Sequence, residues 1–275
     1  MKLTDQLITS AIATAVVVGI GIPAHAYQIY FGEDINESAS FTPPFPRLSS
    51  TPNADAARND FLSNLAGAGT ETFEGFAPGN VSSFSINFPG AGTATFQGEG
   101  LIENVPIGTT PDGRYPISGN QFLSIANRTA PPSFPGSSFN SFTFSNPEAA
   151  FGFYATSLGD VFVSPTDLEL TLTNGTTQSL TIPAIYDSSA VASALYYGII
   201  AENPNEEFTK ATFKGNFSRL DGFGVDDLTV ASANQLKSPK PVPEPMTIFG
   251  SLAASIFGVA LRRKYKHRIK DSVKV

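Results

Sequence analysis

The stretch Asp167-Leu168-Glu169-Leu170-Thr171-Leu172-Thr173-Asn174-Gly175-Thr176-Thr177-Gln178-Ser179-Leu180-Thr181-Ile182 decides the fold. Leu168, Leu170 and Leu172 alternate with Glu169 and Thr171, the period of a strand with one face buried. Asn174-Gly175 reads as the turn of a hairpin, and Leu180 and Ile182 return the apolar face to the same side. The same period runs outward from this hairpin. Upstream it is carried by Phe84, Ile86 and Phe88, by Ala94 and Phe96, by 121–125, by 139–144 and by the apolar run 149–155. Downstream it continues at 195–201, 209–214 and 224–230. Pro78-Gly79, Pro89-Gly90, Pro111-Asp112-Gly113 and Ser118-Gly119-Asn120 punctuate it. The count comes to about eleven short strands, with no repeat of fixed period. The expected fold is all-β: an antiparallel β-sandwich of the jelly-roll, lectin-like kind.

One helix is expected before the strands. It starts at Pro52-Asn53-Ala54-Asp55, with Asn53 as cap and Asp55 at the positive end of the dipole. Ala54, Ala57, Phe61 and Leu65 fall at helical spacing, and Gly67 and Gly69 close it. The helix is expected to plug one end or one face of a sheet.

The two ends read differently from the middle. Lys2, the apolar run 7–22 and Ala24-His25-Ala26 before Tyr27 form the pattern of a secretory signal peptide cleaved after Ala26. At the other end, Val242-Pro243-Glu244-Pro245 is followed by an uncharged segment, 247–261, and then by Arg262-Arg263-Lys264. The prolines hold their element extended. As a helix rising ~1.5 Å per residue, the uncharged segment reaches only about 22 Å. The basic residues behind it make a cytoplasmic stop.

The expected organisation is a signal peptide (1–26), a lead-in segment with a short helix (27–70), a β-sandwich (71–230), a linker (231–241) and a tail (242–275) with a membrane helix. Both histidines, His25 and His267, lie in the terminal segments, and the chain has no cysteine or tryptophan. A Ser-His-Asp or Cys-His site and a nitrogen–sulfur zinc site are therefore excluded from the middle. Discounting Lys2, the seven tail cations, Asp5, Glu244 and Asp271 leaves 9 basic and 21 acidic residues, a net charge of −12. Such a surface repels nucleic acid and suits divalent cations or neutral, hydroxyl-rich partners.

The three-part tail resembles the PEP-CTERM sorting signal of bacterial surface and exopolysaccharide-associated proteins, carried by Val242-Pro243-Glu244-Pro245, Gly250, Phe257-Gly258 and Arg262-Arg263-Lys264. That resemblance implies recognition by an exosortase, a membrane protease-transpeptidase, after signal peptidase has acted. It also implies retention at the membrane through the helix, and then display at the cell surface or in the matrix of a biofilm. Between residues 71 and 230 the chain resembles a group of such surface proteins from cyanobacteria. The residues concerned are Glu71-Thr72-Phe73-Glu74-Gly75-Phe76, Phe151-Gly152-Phe153-Tyr154-Ala155-Thr156, Tyr196-Tyr197-Gly198-Ile199 and Asp221-Gly222-Phe223-Gly224-Val225-Asp226-Asp227-Leu228. This second resemblance implies a lectin-like jelly roll and no established activity.

Asp226-Asp227 is the first candidate for chemistry. Successive strand residues point to opposite faces, so one of the pair should turn inward. A buried carboxylate needs a cation, an arginine or backbone donors. The matching acids near the start of the domain are Glu71 and Glu74, and together these four could supply oxygens to a structural calcium ion. The other reading is that they cap loop backbone or pair with Arg219 or Lys214. Tyr154, Tyr196 and Tyr197 are the candidate sugar contacts, with a ring and a polar tip each. Phe-rich and Tyr-rich strands are also what a core needs, and Tyr196 and Tyr197 fall on opposite faces.

Three functions follow. The first is a non-enzymatic, exported surface or matrix protein associated with exopolysaccharide. The second is a calcium-assisted carbohydrate-binding adhesin module. The third, a glycosidase, needs two carboxylates facing each other across a cleft. An exposed aromatic cluster would mark the second.

Overall fold

Alternation of apolar and polar side chains gives Phe84–Phe88 and Asp167–Leu172 one dry face each, while Ala150–Thr156, Ala194–Ala201 and Phe223–Ala231 are buried along their whole length. The computed structural model describes residues 27–38, 42–80, 83–110, 112–126, 136–159, 165–187, 191–217 and 222–237. The segments read as a signal peptide and a sorting tail, with Ala24, Ala26, Val242, Pro243, Glu244, Pro245, Arg262, Arg263 and Lys264, lie outside the described residues. Among the described residues no helix is long and apolar enough to cross a membrane.

The strands are β1 (Tyr27–Asp34), β2 (Phe45–Pro46), β3 (Gly69–Glu71), β4 (Phe84–Phe88), β5 (Gly92–Gln97), β6 (Leu101–Asn104), β7 (Thr109–Thr110) and β8 (Gln121–Ile125). They continue as β9 (Gly136–Glu148), β10 (Ala150–Thr156), β11 (Asp167–Leu172), β12 (Thr177–Thr181), β13 (Ala194–Ala201), β14 (Phe208–Phe217) and β15 (Phe223–Ala231). One sheet has the order β1-β13-β10-β15-β8-β6, with β3 also on β15; the other has the order β12-β11-β14-β9-β5-β4. β2 and β7 make a small separate pair. All recorded pairings are antiparallel.

Phenylalanines join the sheets. Phe142 of β9 meets Phe151 of β10 at 5.9 Å between ring centres, and Phe213 of β14 meets Phe153 at 5.1 Å and Phe223 at 5.3 Å. These residues are all but inaccessible to water. Such offset and edge-on pairs add to the burial energy of the rings themselves.

The sandwich starts earlier and ends later than expected. Tyr27–Asp34 is a strand of the first sheet, paired along its length with β13, so 27–34 belongs to the core and is not a segment laid across it. At the other end the expected linker begins on the domain. Gln235 donates from Nε2 to the carbonyls of Gly67 and Pro89 at 2.8 and 3.0 Å, and its own carbonyl accepts from Ala66 N–H.

The helix α1 (Pro52–Ser63) lies against β1 and β13 on the outer side of the first sheet. Its cap differs from the expectation. Asn53 does not cap it; the carboxylate of Asp34, at the end of β1, accepts from the N–H groups of Asn53 and Ala54 at 3.1 and 2.9 Å. A carboxylate from a neighbouring strand serves the exposed donors and the dipole as a local cap would. Gly69 opens β3 and does not close the helix.

The hairpin also turns differently. Gly175 N–H donates to Leu172 carbonyl, Leu172 N–H donates to Thr176 carbonyl, and Gly175 sits at φ 82°. The loop is therefore Thr173-Asn174-Gly175, a tight turn closed by a left-handed glycine, where a two-residue Asn-Gly turn was expected. Asn174 favours it by accepting from Thr176 N–H and Oγ1.

Candidate functional site

Of the four acids proposed for calcium, Glu71, Glu74 and Asp226 are engaged by backbone and Asp227 by side chains. Asp226 and Asp227 do not alternate, because β15 carries a bulge there: Gly152 pairs with Thr229 and Tyr154 with Asp226, and Asp227 stands at φ 45°. One extra residue resets the facing of side chains. Both carboxylates are buried. Asp226 Oδ2 accepts from Ile117 N–H and Ser118 N–H, each at 2.8 Å, and Oδ1 accepts from Asp227 N–H at 2.8 Å. Asp227 accepts from Ser118 Oγ at 2.6 Å and pairs with Arg58 of α1 at 3.5 Å. Glu74 Oε1 accepts from Asn120 N–H and Gln121 N–H at 2.7 and 2.6 Å. Glu71 Oε1 accepts from Phe73 N–H at 2.5 Å.

Among the described residues no three such ligands gather where a metal could be held. Glu71, Glu74, Asp226 and Asp227 are thus not brought together as a cage. Asp226 and Glu74 instead clamp the two ends of the 117–121 loop, each through two consecutive N–H groups. Those donors, with Asp227 N–H, take three of the about four lone-pair sites of Asp226 and two of those of Glu74. The ion pair is with Arg58, while Lys214 pairs with Glu169 and Arg219 lies outside the described residues. Burial first, and then the neighbouring Asp227, push the Asp226 carboxyl up to about 8 against the pull of its donors.

The tyrosines proposed as sugar contacts are buried. Tyr154 and Tyr196 meet edge-on at 5.1 Å beneath α1, where Tyr196 also touches Phe61 at 5.7 Å. Tyr154 donates to Asp55 at 2.6 Å, and Arg58 lies 6.0 Å over its ring. Tyr197 packs on Phe153 at 6.1 Å between the sheets. Water reaches at most 3% of any of the three. Burial drives all three phenols above their ordinary range. Strand alternation correctly put Tyr196 and Tyr197 on opposite faces. Both faces are covered, one by the second sheet and one by the helix.

The open polar surface is the outer face of the six-stranded sheet. In register, one row across it reads Ser85, Thr95, Thr143, Lys210, Thr171, Thr177. Beside it runs Gln97, Ser141, Thr212, Glu169, Ser179, of which Ser141 and Thr212 are buried and Gln97 and Ser179 exposed. Strand spacing puts these side chains about 4.8 Å apart, so the first row crosses roughly 24 Å. Ser85, Thr143 and Thr177 are exposed, and Thr95, Lys210 and Thr171 are half-buried. Neither row contains an aromatic ring. The same register sends Ile86, Ala94, Phe142, Ala211 and Leu170 inward, all buried. The rows are therefore the outward half of the pattern that builds the core. Sequence reasoning used that half only to define strands. The period-two threonines and serines were visible in it; their alignment into rows needed the register.

A second feature is a cavity of about 390 Å³ near β2, lined by Arg47, 48–51, 107–108 and 115–117. Arg47 stands 5.2 Å over the ring of Tyr115. Sequence reasoning gave Arg47 no role.

No known family model matches the chain, and no curated protein matches it. Solved structures do. The chain is similar to the C-terminal family 22 carbohydrate binding module of Clostridium thermocellum Xyn10B, at 15% identity over 61% of this chain and 95% of that one, with a TM-score of 0.33. It is similar to a family 11 carbohydrate-binding module of the same organism, in complex with a mixed-linked tetrasaccharide, at 13% identity over 61% and 97%, with a TM-score of 0.30. It is also similar to the Stig cyclase Fisc from Fischerella sp. TAU, at 10% identity over 72% and 96%, with a TM-score of 0.29.

Proposed function

We propose that this chain is an exported, non-enzymatic polysaccharide-binding surface protein with a jelly-roll domain. The observation that carries the reading is the hydroxyl face of the six-stranded sheet, with its row Ser85–Thr95–Thr143–Lys210–Thr171–Thr177. Five hydroxyls that donate and accept, with one lysine ammonium that only donates, would offer an extended sugar chain hydrogen-bonding groups along its length. Direct and water-bridged contacts would be weak singly and add along the chain. The contact needs no calcium and no aromatic platform, so it replaces Tyr154, Tyr196 and Tyr197 as the expected site.

The sorting reading stays beside it as part of the proposal. Val242-Pro243-Glu244-Pro245, the uncharged segment and Arg262-Arg263-Lys264 would pass the chain through signal peptidase and exosortase to the cell surface. A protein displayed in a layer of exopolysaccharide would meet its ligand at high local concentration.

Co-sedimentation of the purified chain with the host's exopolysaccharide tests the binding. Thr143 is exposed at the centre of the row and opposite Lys210, so Thr143→Glu is tolerated by the fold and gains a cross-strand partner. It should weaken retention several-fold. Retention unchanged by Thr143→Glu, or no retention of the folded wild-type chain, would overturn the reading.

A further inference from the structure

We infer that the cavity beside Arg47 binds one carboxylate-bearing sugar residue, a uronic acid within a polysaccharide. The choice of a sugar rests on the function proposed above; the choice of an anion rests on Arg47. At about 390 Å³ the cavity falls in the range of small-molecule sites, roughly 300–1,000 Å³.

Arg47 is the reason for the charge. Its Nη2 donates to the carbonyls of Val105 and of Pro106, the latter at 2.7 Å. Its Nε–H is buried without a partner. Among the described residues no carboxylate pairs with it, whereas Arg58, Arg114 and Lys214 each have an acid alongside. An unmatched guanidinium at a cavity in so acidic a domain calls for an anion. With Nη2 given to two carbonyls and Nε closed off from solvent, Nη1 is the donor left for a carboxylate in the cavity.

The walls are set in advance. Tyr115 beneath Arg47 donates from its hydroxyl to Ala192 carbonyl at 3.0 Å, and its N–H donates to Thr156 Oγ1 at 3.1 Å. Ile117 is held through its N–H by Asp226. A site whose side chains are already fixed loses little entropy on binding. Ser49 and Ser50 are exposed on the lining and offer hydroxyls to a sugar ring. Leu48, Ile107 and Pro116 supply the apolar surface that the C–H face of a pyranose covers. An isolated carboxylate would use only Arg47, and a neutral sugar only the rest.

Calorimetric titration of the purified chain with three probes tests the inference: the galacturonate trimer, the same trimer with its carboxyls reduced to alcohols, and N-acetylalanine. The uronate should bind at least about tenfold more tightly than either of the others. Ile107 is 90% exposed, so Ile107→Asp leaves the fold alone and sets a negative charge at the mouth. It should weaken uronate binding by about tenfold, and Arg47→Met should abolish it. Equal binding of the reduced trimer or of N-acetylalanine, no binding of any probe, or indifference to Ile107→Asp would each overturn the inference. Thr143→Glu separates the two proposals, since it should weaken exopolysaccharide retention and leave trimer binding unchanged. A wild-type chain that is retained by the exopolysaccharide but binds no trimer overturns the cavity and keeps the hydroxyl face.

Discussion

A methyl group on Gly198 would stand 2.7 Å from Cδ2 of Phe61. Gly152, its partner across β10 and β13, would bring a methyl to 2.9 Å from the same ring. Gly32 on β1 would strike the carbonyl of Asn53 at 2.1 Å. Three strands thus present a glycine floor on which α1 lies, and Phe61 fills it. Gly198→Ala should cost about 1–3 kcal/mol, because the ring is enclosed and the floor is backbone. Denaturant unfolding checks this. The double change with Phe61→Ala should cost less than the sum of the two singles, since it removes the clash. Additive costs would refute the floor.

Asp226→Ala should destabilise by about 1–3 kcal/mol for each N–H left buried and unmet at Ile117 and Ser118. EDTA should leave the melting temperature of the wild-type chain where it is. A rise of several degrees on adding millimolar calcium, lost in Asp226→Ala, would restore the metal site and sink the backbone clamp.

Stability should fall as pH rises from about 4.5 to about 8. Glu148 is buried with Oε2 unpartnered, and burial, then Glu207, push its carboxyl from 4.5 to about 8. Asp226 shifts the same way, from 3.8 to about 8. Across that window the native chain keeps protons that the unfolded chain has lost, so each step up in pH favours unfolding. Below about 4 and above about 8 these two groups contribute no slope. Melting curves from pH 5 to 8 should show the decline, and Glu148→Gln should flatten it. A decline of the same steepness in Glu148→Gln would exclude Glu148 as a source.

Replacing Pro243, Glu244 and Pro245 by alanine should leave the tail attached in a host with an exosortase. Mass measurement of the surface-exposed chain reads the result directly. Normal processing of the triple variant would falsify the sorting proposal.

Much of the core was legible because it depends on period alone. Leu168, Leu170 and Leu172, or Phe84, Ile86 and Phe88, can be dry on one face only if the chain is a strand. The bulge at Asp227 was not legible, since nothing in Val225-Asp226-Asp227-Leu228 marks the residue that leaves the ladder. β1 was missed because Tyr27–Asp34 is an edge strand with polar and apolar residues mixed on its open side. The Asp34 cap was missed because donor and acceptor lie on different elements.

The sequence by itself determined the class of fold, the acidity of the domain and the absence of histidine and cysteine chemistry from its middle. These follow from composition and local periodicity, which no tertiary contact can alter. Only the tertiary structure decided what each polar group does. It buried three tyrosines under a helix and a second sheet, and it gave the Asp226 and Glu74 carboxylates to loop backbone. It also aligned threonines from separate strands into one row and set Arg47 beside a cavity with no acid paired to it among the described residues. A side chain's partners are set by strand register and by the packing of distant elements. Both depend on pairings between residues far apart in the chain, and these local patterns do not record them.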